Sequence, residues 1–170
     1  MAKHHSPEAP APASRIAQEI RQNRPFRSAS QEALIALLRT TDRLRRGLSS
    51  VIEPTGITLQ QYNVLRILRG ARGEGLPTLE IAHRMVEETP GITRLLDRLE
   101  AKSLVRRERC RQDRRQVLCW IEPSGLDLLA SLDGPVDRAD ESLLATLSAA
   151  EQRQLILLLD KIREGERHDP

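Results

Sequence analysis

A mainly α-helical fold carrying one short, arginine-dense β-hairpin is predicted for this chain of 170 residues. Three observations predict it. Apolar residues recur at helical spacing through most of the sequence. Two short helical segments are separated only by Glu87-Glu88, the spacing of a helix-turn-helix. The stretch from Thr89 to Gly125 then reads as a helix, a strand, a tight basic loop and a second strand.

Met1–Ala13 is rich in Ala and Pro, and is expected to be a disordered tail (1–13). Its His4-His5 pair reads as solvated rather than metal-binding. An N-terminal extension (14–29) holds a short helix over Ser14–Asn23, with Ser14 as cap, Ile16 and Ile20 on one side and Pro25 beyond its end. The main domain is expected over 30–166. Its first helix, Ser30–Glu53, carries a stripe of Leu34, Leu37, Leu38, Thr41, Leu44, Leu48, Val51 and Ile52, and stops at Pro54 and Gly56.

Thr58 opens the second helix with a capping box to Gln61. That helix carries Leu59, Tyr62, Leu65 and Leu68 and ends near Gly70. Gly73–Pro77 is a turn, or a very short strand at Leu76. A third helix spans Thr78–Val86 with Leu79, Ile81, Ala82 and Met85 on its apolar side. The fourth spans Thr89–Lys102. Thr89 offers a capping hydroxyl, and Pro90 takes the helical position that needs no N–H. Ile92, Leu95, Leu96 and Leu99 form its apolar side; Thr93, Arg94, Asp97 and Arg98 form its polar side.

After the hairpin, Pro123 starts a helix reaching about Thr146, with a bend expected at Gly134-Pro135. Ser148 opens the last helix with a second capping box, to Glu151. The unit spanning 58–121 cannot satisfy the helices at 30–53 and 123–166. Their leftover apolar surface must pack on itself or on another copy, and a symmetric dimer is the simplest solution. Leu143, Leu147, Leu155, Leu158, Leu159 and Ile162 are the expected interface.

Charge points to a partner. Net charge is only +3, although the isoelectric point is about 9.3. The cations are almost all Arg, suited to bidentate contacts with phosphates and base edges. They are also local: Arg106, Arg107, Arg109, Arg111, Arg114 and Arg115 crowd the hairpin against only Glu108 and Asp113. One Phe, one Tyr and one Trp disfavour single-strand binding by base stacking. A Thr- and Arg-bearing helix beside a cationic hairpin fits double-stranded DNA, the helix in the major groove and the hairpin on phosphates and minor groove. Thr89, Gly91 and Thr93 stand at the helix N-terminus, where a phosphate or base edge can approach closely. Arg94 and Arg98 lie one turn apart on one side, Arg98 also within reach of Asp97 and Glu100.

Other chemistries find little support. Cys110 and Cys119 flank the basic loop; with Cys110 opposite roughly Gln116, the two lie about 10 Å apart along the pair, too far for an unstrained disulfide. They read as reduced thiols, with redox sensing as the alternative. No metal-spaced cluster, Gly-rich phosphate loop or nucleophile–base pair stands out, so neither an enzyme nor a cofactor is expected. His83 reads as a phosphate contact or a surface residue. No apolar run reaches about 18 residues, so a soluble cytoplasmic protein without membrane contact is expected.

Three motifs resemble the MarR family of bacterial transcription regulators: ITLQQYNVLRIL at Ile57–Leu68, ITRLLDRLEAKSLVRR at Ile92–Arg107, and DRR…IEPSG across Asp113–Gly125. The resemblance covers about Gln31–Glu164. It implies a winged helix-turn-helix homodimer with N- and C-terminal dimerisation helices and a two-stranded wing, binding DNA at an inverted repeat. By resemblance, Thr89–Lys102 is the recognition helix, Asp113 holds the wing and Arg115 enters the minor groove, with Arg114 beside it. Three positions depart from the family pattern: Ser103 where Gly is usual, Glu122 where Thr is usual, and Trp120 where an exposed polar residue is common.

The resemblance also implies a small anionic or phenolic effector that releases the DNA. On the first long helix, Arg45 interrupts an apolar line shared with Leu38 and Ile52. It reads either as a core-edge side chain reaching solvent or as the counter-charge for an effector, with Thr41 and Tyr62 supplying hydroxyls. The function expected is a ligand-released repressor. The alternatives are a thiol-responsive regulator and a winged-helix protein-interaction module without DNA binding.

Overall fold

The apolar period sets where each helix forms, and a capping side chain marks the start of several of them. The computed structural model describes residues 14–87, 91–113 and 115–165. They form two compact units, up to Leu44 and from Arg45 onward, which divide the first long helix.

In the first unit, α1 (Arg15–Glu19) is capped by Ser14, whose Oγ accepts from the Ala17 N–H, and buries Ala17. Helix α2 (Ala29–Ile52) begins one residue earlier than its pattern predicts. Ser28 Oγ accepts the Gln31 N–H at 3.1 Å, and Gln31 Oε1 accepts the Arg27 N–H at 2.8 Å. This S-x-x-Q exchange meets the free donors of the first turn.

The second unit starts with the last turns of α2, where Ile52 is buried. A short 3₁₀ turn, Glu53–Thr55, holds Pro54 near its start and ends on Gly56 at φ +85°. Thr58 and Gln61 form the predicted reciprocal capping box at the head of α3 (Leu59–Gly70). Strand β1 (Leu76–Pro77), α4 (Thr78–Arg84), α5 (Ile92–Ala101), β2 (Val105–Arg109) and β3 (Val117–Ile121) follow. The sheet is antiparallel in the order β1-β3-β2, with Leu76 opposite Cys119 and Arg107 opposite Cys119 on the other side. A two-stranded hairpin thus gains a third strand of only two residues. Pro77 has no N–H to extend the ladder, which confines β1 to a short edge.

The core of this unit joins Val64, Leu65 and Leu68 of α3 to Ile81, Leu96, Leu99, Val105, Cys119 and Leu129. Two close approaches fix the exit from the hairpin. A Cβ on Gly125 would lie 2.5 Å from the Leu104 carbonyl oxygen, so only glycine fits. Ser103 ends α5 at φ +57°, in the left-handed region that its departure from glycine predicts to be strained. Its carbonyl accepts the Ser124 Oγ–H at 2.5 Å.

Helix α6 (Pro123–Leu143) runs through Pro135 and ends before Thr146. Glu122 does not cap it with its side chain but pairs with Arg106 at 3.1 Å. A bidentate Arg69–Asp133 contact near 3.0 Å joins α3 to α6. Helix α7 (Ala149–Gly165) carries the expected Ser148–Glu151 exchange and buries no residue. No helix among the described residues is long and apolar enough to cross a membrane.

Candidate nucleic-acid interface

The fourth helix starts later than its sequence signals suggest. Gly91 is its N-cap, at φ +102° and without a side-chain cap bond, and α5 begins at Ile92. Nothing lies within 4 Å of a Cβ placed on Gly91. The glycine therefore serves a left-handed turn rather than a close approach within the chain. Thr89, Pro90 and Arg114 lie outside the described residues, and so does Glu88 of the turn.

Leu95, Leu96 and Leu99 are buried, which leaves Thr93, Arg94, Asp97 and Arg98 exposed on the opposite side of α5. Arg98 is not the partner of Asp97 and Glu100. Both carboxylates take Arg107 from β2 instead: Arg107 reaches Asp97 at 2.7 Å and Glu100 at 2.6 Å. The Arg107 backbone N–H also donates to Glu100 at 3.1 Å. With its side chain only 20% exposed, Arg107 ties strand to helix. Sequence alone groups Arg107 with the other hairpin cations, because acids ten and seven positions earlier in the chain carry no local pairing signal.

Arg106 is also spoken for. It pairs with Glu108 and Glu122 and stacks over Trp120, its guanidinium carbon 4.1 Å from the ring centroid. The Trp120 ring in turn fills the space beside Gly75, where any Cβ would collide with it. This accounts for an aromatic residue where the family pattern has a polar one. Among the described hairpin cations, Arg109, Arg111 and Arg115 enter no ion pair. Asp113 organises the loop: its carboxylate accepts the Arg115 N–H at 3.0 Å and the Gln116 side-chain amide at 3.1 Å. Thr93 and Arg115 line one open groove, together with Leu79, His83 and Gln116. Arg94 and Arg98 do not line it.

The thiols are separate. The Cys110 N–H donates to the Gln116 carbonyl at 3.0 Å, while Cys119 is buried in mid-strand, and both are free. Burial pushes the Cys119 thiol pKa up, against a smaller lowering by its contact with Thr78. A thiol buried in this way is a poor nucleophile. Among the described residues no group of three His, Cys, Asp or Glu could hold a metal.

The expected effector residues differ in their surroundings. Arg45 is 52% exposed and pairs with Glu87 at 2.8 Å, so it is not an unpaired cation buried in an apolar line. Thr41 is exposed and belongs to the first unit. Tyr62 is buried, and burial raises its phenol pKa. It lines a cavity of about 160 Å³ whose other walls include Leu48, Ile52, Val136, Arg66, Glu87 and Asp140. The expected interface leucines Leu143, Leu147, Leu155 and Leu159 are half-buried, while Leu158 and Ile162 are exposed.

Comparison with known proteins matches this arrangement. The model of the MarR family fits residues 57–117. The transcriptional regulator HosA of Escherichia coli O157:H7 is 31% identical over 106 residues, 62% of this chain and 77% of HosA. A MarR transcription factor from Planctomyces limnophilus is 40% identical in its crystal structure, with a TM-score of 0.63 over 80% of this chain and 98% of its own. BpsR of Bordetella bronchiseptica, at 22% identity, shares the fold with a TM-score of 0.70 over 78% of this chain and 98% of BpsR.

Proposed function

This chain belongs to the MarR family, DNA-binding transcription regulators with a winged helix-turn-helix and no enzymatic activity, and from that premise we propose a homodimeric repressor that reads an inverted repeat. One observation carries the reading. The polar side of α5 is exposed, and Arg107 locks that helix to a hairpin whose Arg115 shares a groove with Thr93. Helix and wing can then meet one duplex as a single body. Arg94 and Arg98 are assigned to base edges or phosphates, with Thr89, Gly91 and Thr93 at the helix start. Arg114 and Arg115, ordered by Asp113, are assigned to the wing.

The exposed apolar side chains of α7 support dimerisation through Leu155, Leu158, Leu159 and Ile162, with Leu143 and Leu147. Two recognition helices would then stand about 34 Å apart, one DNA turn. Release by a small anionic or phenolic effector is supported by the cavity at Tyr62, whose wall carries one guanidinium, Arg66. BpsR, which shares the fold, has its DNA binding regulated by 6-hydroxynicotinic acid. The cavity adds Arg66 to Tyr62 of the expected Thr41, Arg45 and Tyr62 set. The thiol alternative loses support at Cys119, which is buried, and is left to the half-buried Cys110.

The test is footprinting of the purified full chain on the DNA flanking its own gene. A protected inverted repeat is expected. Uniform binding with no protected palindrome would refute sequence-specific recognition.

A further inference from the structure

We propose that Trp120 is a positioning residue for DNA recognition: with Gly75 and Arg106 it clamps the wing to the strand that leads into α4, and so fixes where Arg115 meets the duplex. The inference rests on the wing reading above and adds a residue to it. The sheet register places the three side by side. Trp120 stands opposite Arg106 of β2. On its other edge β3 pairs with β1, Leu76 opposite Cys119 and Pro77 opposite Leu118. One step further along, that register sets Gly75 opposite Trp120. The row Gly75–Trp120–Arg106 thus crosses the sheet, from the residue before β1 to β2.

Gly75 supplies the room. It is not among the glycines with a left-handed backbone, so its missing side chain serves space rather than conformation. A Cβ there would lie 2.5 Å from Trp120 Cε2 and 2.9 Å from Nε1. A ring laid against a strand glycine covers the backbone that the glycine leaves bare. From β2, Arg106 stacks over the same ring, its guanidinium carbon 4.1 Å from the centroid, where an aromatic face attracts a cation. Glu122 at 3.1 Å and Glu108 hold Arg106 in place. Trp120 and Glu122, both departures from the family pattern, therefore meet at one arginine.

Successive side chains of a strand point to opposite faces. Arg107, next to Arg106, lies on the inner face and ties the hairpin to α5. The Trp120 row holds the outer face, and holds it to a different element. Gly75 leads through the two residues of β1 directly into α4. Pro77 has no N–H to give, so the ladder between β1 and β3 is short. A packed row adds hold where backbone bonds are few. With both faces tied, the wing is presented in one position, and less freedom is lost when Arg115 meets the duplex.

The experiment measures affinity of the full-length protein for the footprinted inverted repeat, together with the emission of Trp120, the chain's only tryptophan. Trp120→Ser and Gly75→Ala are each tested alone and combined with Arg115→Ala. Either one alone is expected to weaken binding about tenfold, and to add less than about twofold once Arg115 is replaced. A general folding defect of the lobe would add in full instead. Trp120→Phe keeps a ring in the row and should bind within about threefold of wild type. Gly75→Ala retains the tryptophan and displaces its ring, so the emission should shift to the red. That variant carries the test even where Trp120→Ser fails to fold. Losses that add in full to that of Arg115→Ala, or a Gly75→Ala protein of unchanged affinity, would overturn this inference and leave the DNA reading standing. Arg115→Ala binding as wild type would overturn the wing's part in that reading, and this inference with it.

Discussion

Helix α5 buries Leu95, Leu96 and Leu99 within its own chain, whereas α7, the longer of the two, buries nothing. In α5 the apolar positions form one stripe, and that stripe meets α3, α4 and β2. In α7 the run Leu155-Ile156-Leu157-Leu158-Leu159 surrounds the helix on most sides. Leu157 stays 68% exposed and Ile162 57% exposed. A helix apolar on most sides is stable only when it is covered from several directions. The difference teaches which parts of the chain finish their own core and which present a surface of the kind oligomers bury.

The comparison can be broken most directly at α7. Leu158→Arg is expected to give a monomer or insoluble protein and to abolish tight operator binding, read by sedimentation and by DNA titration. A soluble dimer that still binds DNA would move the interface elsewhere. On the other side, Leu99→Ala removes a side chain that is 0% exposed and should cost roughly 2–5 kcal/mol in a denaturant melt. A loss under about 1 kcal/mol would show that the reading lobe is no better packed than α7.

Within the lobe, Arg94→Ala should cost roughly 1–3 kcal/mol at particular base pairs if the side chain makes a bidentate contact. Arg115→Ala should weaken binding on all sequences, since the wing reads phosphate and groove shape. Binding measured on a panel of single-base operator variants separates the two. Equal losses across the panel for both would reduce Arg94 to a phosphate contact. The smallest effect concerns the tie between the lobe and α6. The hydrogen bonds from Arg69 hold the Asp133 carboxyl pKa below its ordinary value. Its contribution is therefore complete above the unfolded pKa of about 3.9 and disappears as pH falls through the lower folded value. Both side chains are more than a third exposed, so solvent limits the contribution to about 0–1 kcal/mol. Asp133→Asn should lower stability slightly at pH 7 and match wild type in strong acid, as thermal melts across pH would show.

Much of the fold was legible because its signals are local. The Thr58–Gln61 and Ser148–Glu151 capping boxes, the Gly56 turn and the stripe of α5 each involve residues within a turn or two. Caps without such a signature were harder to place. Thr89-Pro90 resembles a helix start, yet the N-cap of α5 is Gly91, two positions further on and left-handed. Of the site, the exposed side of α5 and the loop-ordering role of Asp113 were readable from spacing and resemblance. The roles of individual cations were not, because a side chain's partner is set by what the fold brings alongside.

The sequence by itself determined the helical frame, the basic hairpin, the helix-turn-helix spacing and the family, since hydrophobic period, caps and motif order depend on neighbours along the chain. Only the tertiary structure decided that Arg107 and Arg106 are internal ties while Arg109, Arg111 and Arg115 stay outside ion pairs among the described residues. It also decided that Arg45 answers Glu87 across the fold, and that Tyr62 faces a ring-sized cavity. The physical reason is that charge pairing and cavity shape depend on distances of a few ångströms between segments remote in sequence. Composition leaves those distances open, and packing sets them.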